Sequence, residues 1–245
     1  MPDLDCKSAY IPHARAQVRQ LGAEAGARAA IGGDFEAIGK LEYHLLLSLG
    51  LREGHRVLDI GCGCGRLAAQ LARLPGLSYG GTDVAPQLLR HARAVCGRPF
   101  WDFVETDGAS IPFRDASADF VCLFSVVTHL LHEQSFRYFI EAERCLRDGG
   151  LLVVSFLEFR VPSHWAAFEV SVRDTAPGAH LTQFIDRDAV ASWAAHSGLE
   201  VEGIRGGDTM HIPIPEEVVF ESGARQGGLG SLGQSVAVLR KPGRG

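Results

Sequence analysis

From Val57 onward, short apolar runs alternate with segments whose apolar residues recur at helical spacing. This alternation constrains the chain more than any other feature, because it demands a mostly parallel sheet with helices on its faces. Val57–Ile60 is apolar except for Asp59 and reads as a fully buried strand. Arg66–Leu74 follows as a helix with Leu67, Leu71 and Leu74 on one face, ended by Pro75-Gly76. Leu77–Gly81 is the second strand. Pro86 then opens a helix that turns Leu88, Leu89, Ala92 and Val95 to one side and closes at Gly97. Further strands are expected at Phe100–Glu105, Phe120–Phe124, Leu151–Phe156, Leu199–Ile204 and Ser235–Leu239. Ser135 is placed to N-cap a helix stopped by Asp148-Gly149-Gly150, and Asp186 to N-cap one that ends before Gly198.

Two regions depart from this rhythm. The first fifty residues are helical, clearest in Phe35–Leu49, where Phe35, Ile38, Leu41, Leu45 and Leu49 form a stripe. Residues 1–50 are therefore read as an N-terminal helical cap, and 51–245 as one compact domain. The connections Glu158–Ile185 and Arg205–Gln234 lack strong periodicity, and long loops of this kind are often functional.

Composition removes several classes of function. Of the 245 residues, 46% are apolar and 22% charged, enough for a globular core without disulfides or metals. The net charge is −5 and no run of basic neighbours occurs, which argues against nucleic acid as a partner. No stretch is long and apolar enough for a membrane span. Asp3, Asp5 and Lys7 stand where a signal peptide needs an apolar core. Cys62 and Cys64 make neither a C-x-x-C pair nor a zinc spacing, so reduced thiols in a cytoplasm and no metal are expected.

The chemistry is concentrated in Val57-Leu58-Asp59-Ile60-Gly61-Cys62-Gly63-Cys64-Gly65-Arg66. A buried strand runs through a glycine-rich turn into a helix, so the backbone can approach a ligand closely. Alone, such a turn could simply satisfy positive φ. Two acidic residues change that balance. Asp83 ends the second strand, placed to accept both hydroxyls of a ribose. Asp107 ends the third, where a carboxylate can accept from an adenine amino group. A dinucleotide fingerprint would need a third glycine where Arg66 stands, which argues against a nicotinamide cofactor.

With Gly81-Thr82-Asp83-Val84, Thr106-Asp107-Gly108-Ala109 and Asp119-Phe120-Val121 leading to Ser125, this segment resembles the class I S-adenosylmethionine-dependent methyltransferases. The resemblance covers roughly Leu45–Phe156 well and the last strands loosely. It implies a Rossmann-like, doubly wound sheet of seven strands, mostly parallel with an antiparallel last strand. It further implies S-adenosylmethionine as cofactor. Gly61, Cys62 and Gly63 would then meet the methionine end through the backbone, with Asp59 shaping the loop. Asp83 would bind the ribose, Val84 would pack on the adenine, and Asp107 and Gly108 would meet its edge. Ser125 and Val126 would line the sulfonium.

A base is needed only if the acceptor must lose a proton. His129, a few residues past the fourth strand, can serve as a neutral imidazole base, or can merely line the site. His164, beside Trp165 in the long connection, is a second candidate, against which stands ordinary loop packing. The segment after the fourth strand, Phe124-Ser125-Val126-Val127, lacks the Asn- or Asp-Pro-Pro-aromatic motif of enzymes that methylate exocyclic amino groups. A small-molecule acceptor, methylated at a hydroxyl, is the expectation. A cofactor-binding protein that acts by association is the alternative. The N-terminal helices and Glu158–Ile185 are expected to cover the acceptor.

Overall fold

The computed structural model describes residues 6–173 and 181–243. Its main sheet has seven strands in the order β3-β2-β1-β4-β5-β9-β6. These are β1 (Arg56–Ile60), β2 (Ser78–Asp83), β3 (Asp102–Glu105), β4 (Ala118–Leu123), β5 (Leu146–Phe156), β6 (Glu200–Arg205) and β9 (Ser235–Arg240). β1 pairs in parallel with both β2 and β4, so the strand order reverses there. In open α/β sheets a ligand crevice forms outside the carboxyl ends at such a point. β9 is antiparallel to β5 and to β6, between which it is inserted. The seven strands and their one antiparallel member are as the sequence leads one to expect.

Period-two alternation divides the sheet's side chains between two faces. Val57, Phe120, Cys122 and Val153 belong to one apolar cluster, and Leu58, Ile60, Val121, Leu123, Leu152 and Val154 to the other. The first cluster is completed by α3 (Phe35–Ser48), α4 (Arg66–Leu71) and α5 (Pro86–Cys96). The second is completed by α6 (His132–Cys145) and α8 (Arg187–Ser197). A third, smaller cluster joins α1 (Cys6–Leu21) and α2 (Ala23–Ile31) to the glycine loop and α5 through Ala14, Ala27, Ala30, Phe35, Cys64 and Leu88. α1 and α2 approach closely at Gly26, where a Cβ would lie 2.4 Å from the Gln17 carbonyl oxygen.

The sequence reading differs from the structure in several places, among them the helix stop expected at Asp148-Gly149-Gly150, which lies inside β5, and the cap expected from Asp186, whose side chain makes no capping hydrogen bond. α3 is part of the core, since Leu41, Leu45 and Leu46 pack with the sheet. α6 begins at His132, and Gln134 Oε1 accepts from the Leu131 N–H, so Ser135 lies inside the helix and caps nothing. The connection after β5 holds a helix, α7 (Pro162–Arg173), whose lone buried residue is His164. The connection after β6 holds a hairpin, β7 (Ile212–Val219) with β8 (Arg225–Gly230), set against α3. Pro213 and Pro215 mask β7 in the sequence, because proline usually demotes a run from strand. β8 reads Arg-Gln-Gly-Gly-Leu-Gly and has almost no apolar pattern to find.

Candidate active site

The glycine loop leaves β1 and enters α4 at the switch point of the sheet. Gly61 (φ 70°) and Gly63 (φ 55°) adopt the left-handed conformation that favours glycine. Both are also crowded: a Cβ at Gly61 would meet Val126 Cγ2 at 2.6 Å, and one at Gly63 would meet Ile31 Cγ2 at 2.7 Å. The loop is pinned by its neighbour strand. Cys62 N–H donates to the Thr82 carbonyl at 2.8 Å, and Gly63 N–H donates to Asp83 Oδ2 at 2.9 Å. Those two N–H groups, which the sequence makes available to a ligand, are thus turned inward. The other carboxylate oxygen of Asp83 accepts from Ala85 N–H at 2.8 Å at the start of α5. The carboxylate's four acceptor sites are not all filled, so a further donor can still be accepted. Cys62 and Cys64 point into two different apolar clusters, and both are free thiols. Burial pushes the Cys64 thiol up to about 12.

Three buried carboxylates and one buried arginine surround the loop. Tyr79 O–H donates to Asp59 Oδ2 at 2.8 Å. Arg66 Nε lies 3.3 Å from Glu42 Oε1, and its guanidinium also donates to the Gly32 carbonyl at 3.1 Å. Burial pushes Asp59 up to about 7, with the charges of Glu42 and Asp83 adding to the effect and the Tyr79 hydrogen bond opposing it. Burial also pushes Asp83 up to about 6 against the N–H groups of Ala85, Gly63 and Val84, and raises Glu42 against Arg66. Carboxylates held this way gain from a bound cation, which would favour their charged forms.

These groups face one cavity of about 450 Å³. Asp59, Gly61, Cys62, Gly63, Asp83, Val84, Asp107, Gly108, Ser125, Val126 and His129 all line it. The exposed Asp107 accepts from Ala109 N–H at 2.9 Å, and Gly108 N–H donates to Thr106 Oγ1 at 3.3 Å. His129 closes a short 3-10 turn, Val127–His129, and its Nδ1–H donates to the Leu181 carbonyl at 2.9 Å. The neutral ring then carries its lone pair on Nε2.

His164 is not among the lining residues. It is buried, its Nδ1 accepts from Glu158 N–H at 3.0 Å, and its Nε2–H donates to the Gly233 carbonyl at 2.9 Å. With both nitrogens bonded to backbone, this ring holds two loops together and has no lone pair for a substrate proton. Trp165 is 46% exposed and packs outside the cavity, edge-on to Phe159 and tilted against Phe168. Sequence reasoning missed Tyr10 and His13 of α1, Glu42 of α3, and Gln134 and Arg137 of α6, all of which line the cavity. Only Arg66, directly after the glycine loop, carried a local signal.

The strand order, the glycine loop and the acidic strand ends together define the class I methyltransferase fold. Residues 58–154 match the family model described as a methyltransferase domain. The chain is 32% identical over 148 residues to demethylmenaquinone methyltransferase of Tropheryma whipplei strain Twist, covering 58% of each chain. It is 32% identical over 162 residues to ubiquinone biosynthesis O-methyltransferase of Xanthomonas axonopodis pv. citri, covering 62% of this chain and 66% of the relative. It thus spans less than two thirds of these relatives' lengths. Among solved structures, the (4+2)-cyclase SpnF superposes with a TM-score of 0.61 at 18% identity, covering 92% of this chain and 93% of that one. Residues 58–154 thus carry a methyltransferase domain, on the fold of the class I S-adenosylmethionine-dependent methyltransferases.

Proposed function

We propose that this protein catalyses methyl transfer from S-adenosylmethionine to a hydroxyl of a small-molecule acceptor. The observation that carries the reading is the single cavity into which Asp59, Asp83, Asp107, Ser125 and His129 converge from four consecutive strand ends. The residues fit the cofactor: a cavity lined by the carboxylates Glu42, Asp59, Asp83 and Asp107 against Arg66 and Arg137 suits a ligand bearing a sulfonium and an ammonium. Asp83 would accept from the ribose hydroxyls with its remaining lone pairs, and Val84 would pack on the adenine. Asp107 and Gly108 would meet the adenine edge. Asp59 and the loop residues Gly61, Cys62 and Gly63 would hold the methionine end. Ser125 and Val126 would border the reacting carbon.

The bound cofactor supplies a methyl group already attached to a good leaving group. The protein has then to align the acceptor oxygen, exclude water and accept one proton. His129 Nε2 would take that proton, because the Leu181 carbonyl fixes the hydrogen on Nδ1. The name of the ubiquinone biosynthesis O-methyltransferase supports an oxygen acceptor. A second reading, cofactor binding without methyl transfer, draws on the likeness to a fold that also serves a cyclase. Methyl-labelled S-adenosylmethionine incubated with the protein and a cell extract separates the two. Label in a small-molecule fraction that methyl-ether cleavage or ester hydrolysis frees from its acceptor supports transfer to oxygen. Cofactor binding with no labelled product over long incubation favours the second reading.

A further inference from the structure

Beside the large cavity lies a second one of about 200 Å³. The two share Glu42, Arg66, Phe124, Ser125 and His129 in their walls, so they are contiguous across Ser125. The smaller cavity adds Ser155 at the end of β5, Gln234 just before β9, and the apolar Ile38 and Leu232. None of these four belongs to the cofactor assignment.

Ser125, Ser155 and Gln234 form a closed ring of hydrogen bonds whose directions can be worked out. Ser125 N–H can only donate, and it donates to Ser155 Oγ at 2.7 Å. Ser155 is buried, and its own hydroxyl hydrogen goes to Gln234 Oε1 at 2.7 Å. The amide oxygen therefore faces Ser155, and Gln234 Nε2 donates to Ser125 Oγ at 3.0 Å. The reverse amide orientation would leave the buried Ser155 hydroxyl without an acceptor among the described residues. Two donors remain for the cavity: the Ser125 hydroxyl hydrogen and the second N–H of Gln234. Ser125 also holds φ at 57°, one of two described non-glycine residues in the left-handed region. Such a conformation persists when its surroundings fix it, as this ring does.

The segment that carries Gln234 is anchored on both sides. Gly233 N–H donates to Ser231 Oγ at 3.1 Å, and the Gly233 carbonyl accepts from His164. Ser235 O–H donates to the fully buried Glu158, which holds Arg187 through two bonds of 2.7 Å. His164 and Glu158 are thus positioning residues for Gln234.

We propose that the smaller cavity is the acceptor subsite, and that Ser125 and Gln234 recognise in it an oxygen that bears lone pairs on a single substituted ring. This rests on the methyltransferase reading above and names the acceptor class for it. A cavity of about 200 Å³ has room for roughly six or seven water volumes, one ring and its substituents. Two donors match a carbonyl, carboxylate or phenolate oxygen, and they oppose an ammonium. The carboxylate on the same wall, Glu42, is already paired with Arg66.

The test is calorimetry on the full chain, first with S-adenosylhomocysteine and then, on the saturated protein, with 4-hydroxybenzoate and with benzylammonium as probes. The expected result is binding of 4-hydroxybenzoate at least tenfold tighter than benzylammonium. Gln234→Glu keeps the shape but replaces the donor with an acceptor, and should weaken 4-hydroxybenzoate at least tenfold. Gln234→Leu should do the same, with S-adenosylhomocysteine affinity within twofold for both variants. Thermal melting confirms that each variant is folded, and the isosteric Glu variant carries the test if the Leu variant unfolds. Equal binding of the two probes, absence of 4-hydroxybenzoate binding, or insensitivity to Gln234→Glu overturns the subsite. Failure of S-adenosylhomocysteine to bind the parent protein instead overturns the underlying methyltransferase reading.

Discussion

The carboxyl ends of β1, β2 and β3 form one half of the crevice, the carboxyl ends of β4 and β5 with the amino end of antiparallel β9 form the other, and the two halves are built by different means. In the first half, the ligand-facing carboxylate of Asp83 is locked by backbone N–H groups of Gly63 and Ala85, twenty and two residues away in sequence. In the second half, Ser125 is held by side chains from positions 155 and 234. A site fixed by backbone geometry tolerates little variation and suits a ligand that does not change. A site fixed by side chains on separate elements can be altered one residue at a time, which suits the acceptor side.

Four substitutions break or sharpen this comparison. The largest effect is expected for His129→Ala in the acceptor half: kcat should fall by roughly 10²–10⁴, the usual contribution of a positioned base. Cofactor affinity, measured by calorimetry, should stay within twofold. Equal loss of both would make His129 part of the cofactor half. Next is Asp83→Ala, which removes a charged acceptor worth about 1.5–3 kcal/mol. S-adenosylhomocysteine affinity should drop roughly 10- to 100-fold, with the folded state retained by circular dichroism.

The third effect is on stability and concerns pH. Unfolded aspartates titrate near ~3.9, whereas folded Asp59 titrates at about 7. Between those values the folded state binds more protons, so the contribution of Asp59 to stability declines as pH rises from about 4 to about 7. Asp59→Asn removes that loss. The ligand-free variant should melt higher than the parent at pH 8, by roughly 4–8 °C for a relief of ~2 kcal/mol, and should show no gain at pH 4. A gain of equal size at both pH values would assign the effect to packing. The smallest change is expected for Trp165→Ala. This side chain is half-exposed and off the cavity, so turnover should change less than twofold despite its place beside His164. A large loss would extend the acceptor half to α7.

The same division explains what could be read from the sequence. The first half is a contiguous signal: a buried strand, a glycine turn, and one acid at the end of each following strand. Its register and burial follow from local pattern, so Asp59, Asp83 and Asp107 could be placed in one cavity before any coordinates. Gln234 and Ser155 had no such signal, because a glutamine in a glycine-rich connection becomes functional only through contacts across 79 and 109 residues. His164 misled for a related reason. A histidine beside a tryptophan after β5 reads as substrate machinery, and only the distant Gly233 carbonyl reveals that its second nitrogen is taken. The strands β7 and β8 were hidden by proline and glycine, whereas α3 was legible as a helix and only its partner was not, since an apolar stripe says a face is buried without saying against what.

The insertion of β9 between β5 and β6 also sets an order of events during synthesis. Until Ser235–Arg240 has left the ribosome, β5 presents an open edge along its outer side, and β6 has no strand to pair with. β1, β2, β3 and β4 precede these segments and can pair among themselves early. The growing chain can therefore shape the nucleoside side of its crevice well before Gln234 reaches Ser125. The late strand joins β6 to β5 and brings Gln234 to Ser125 in the same step, so a nascent chain lacks the proposed acceptor wall until β9 is in place.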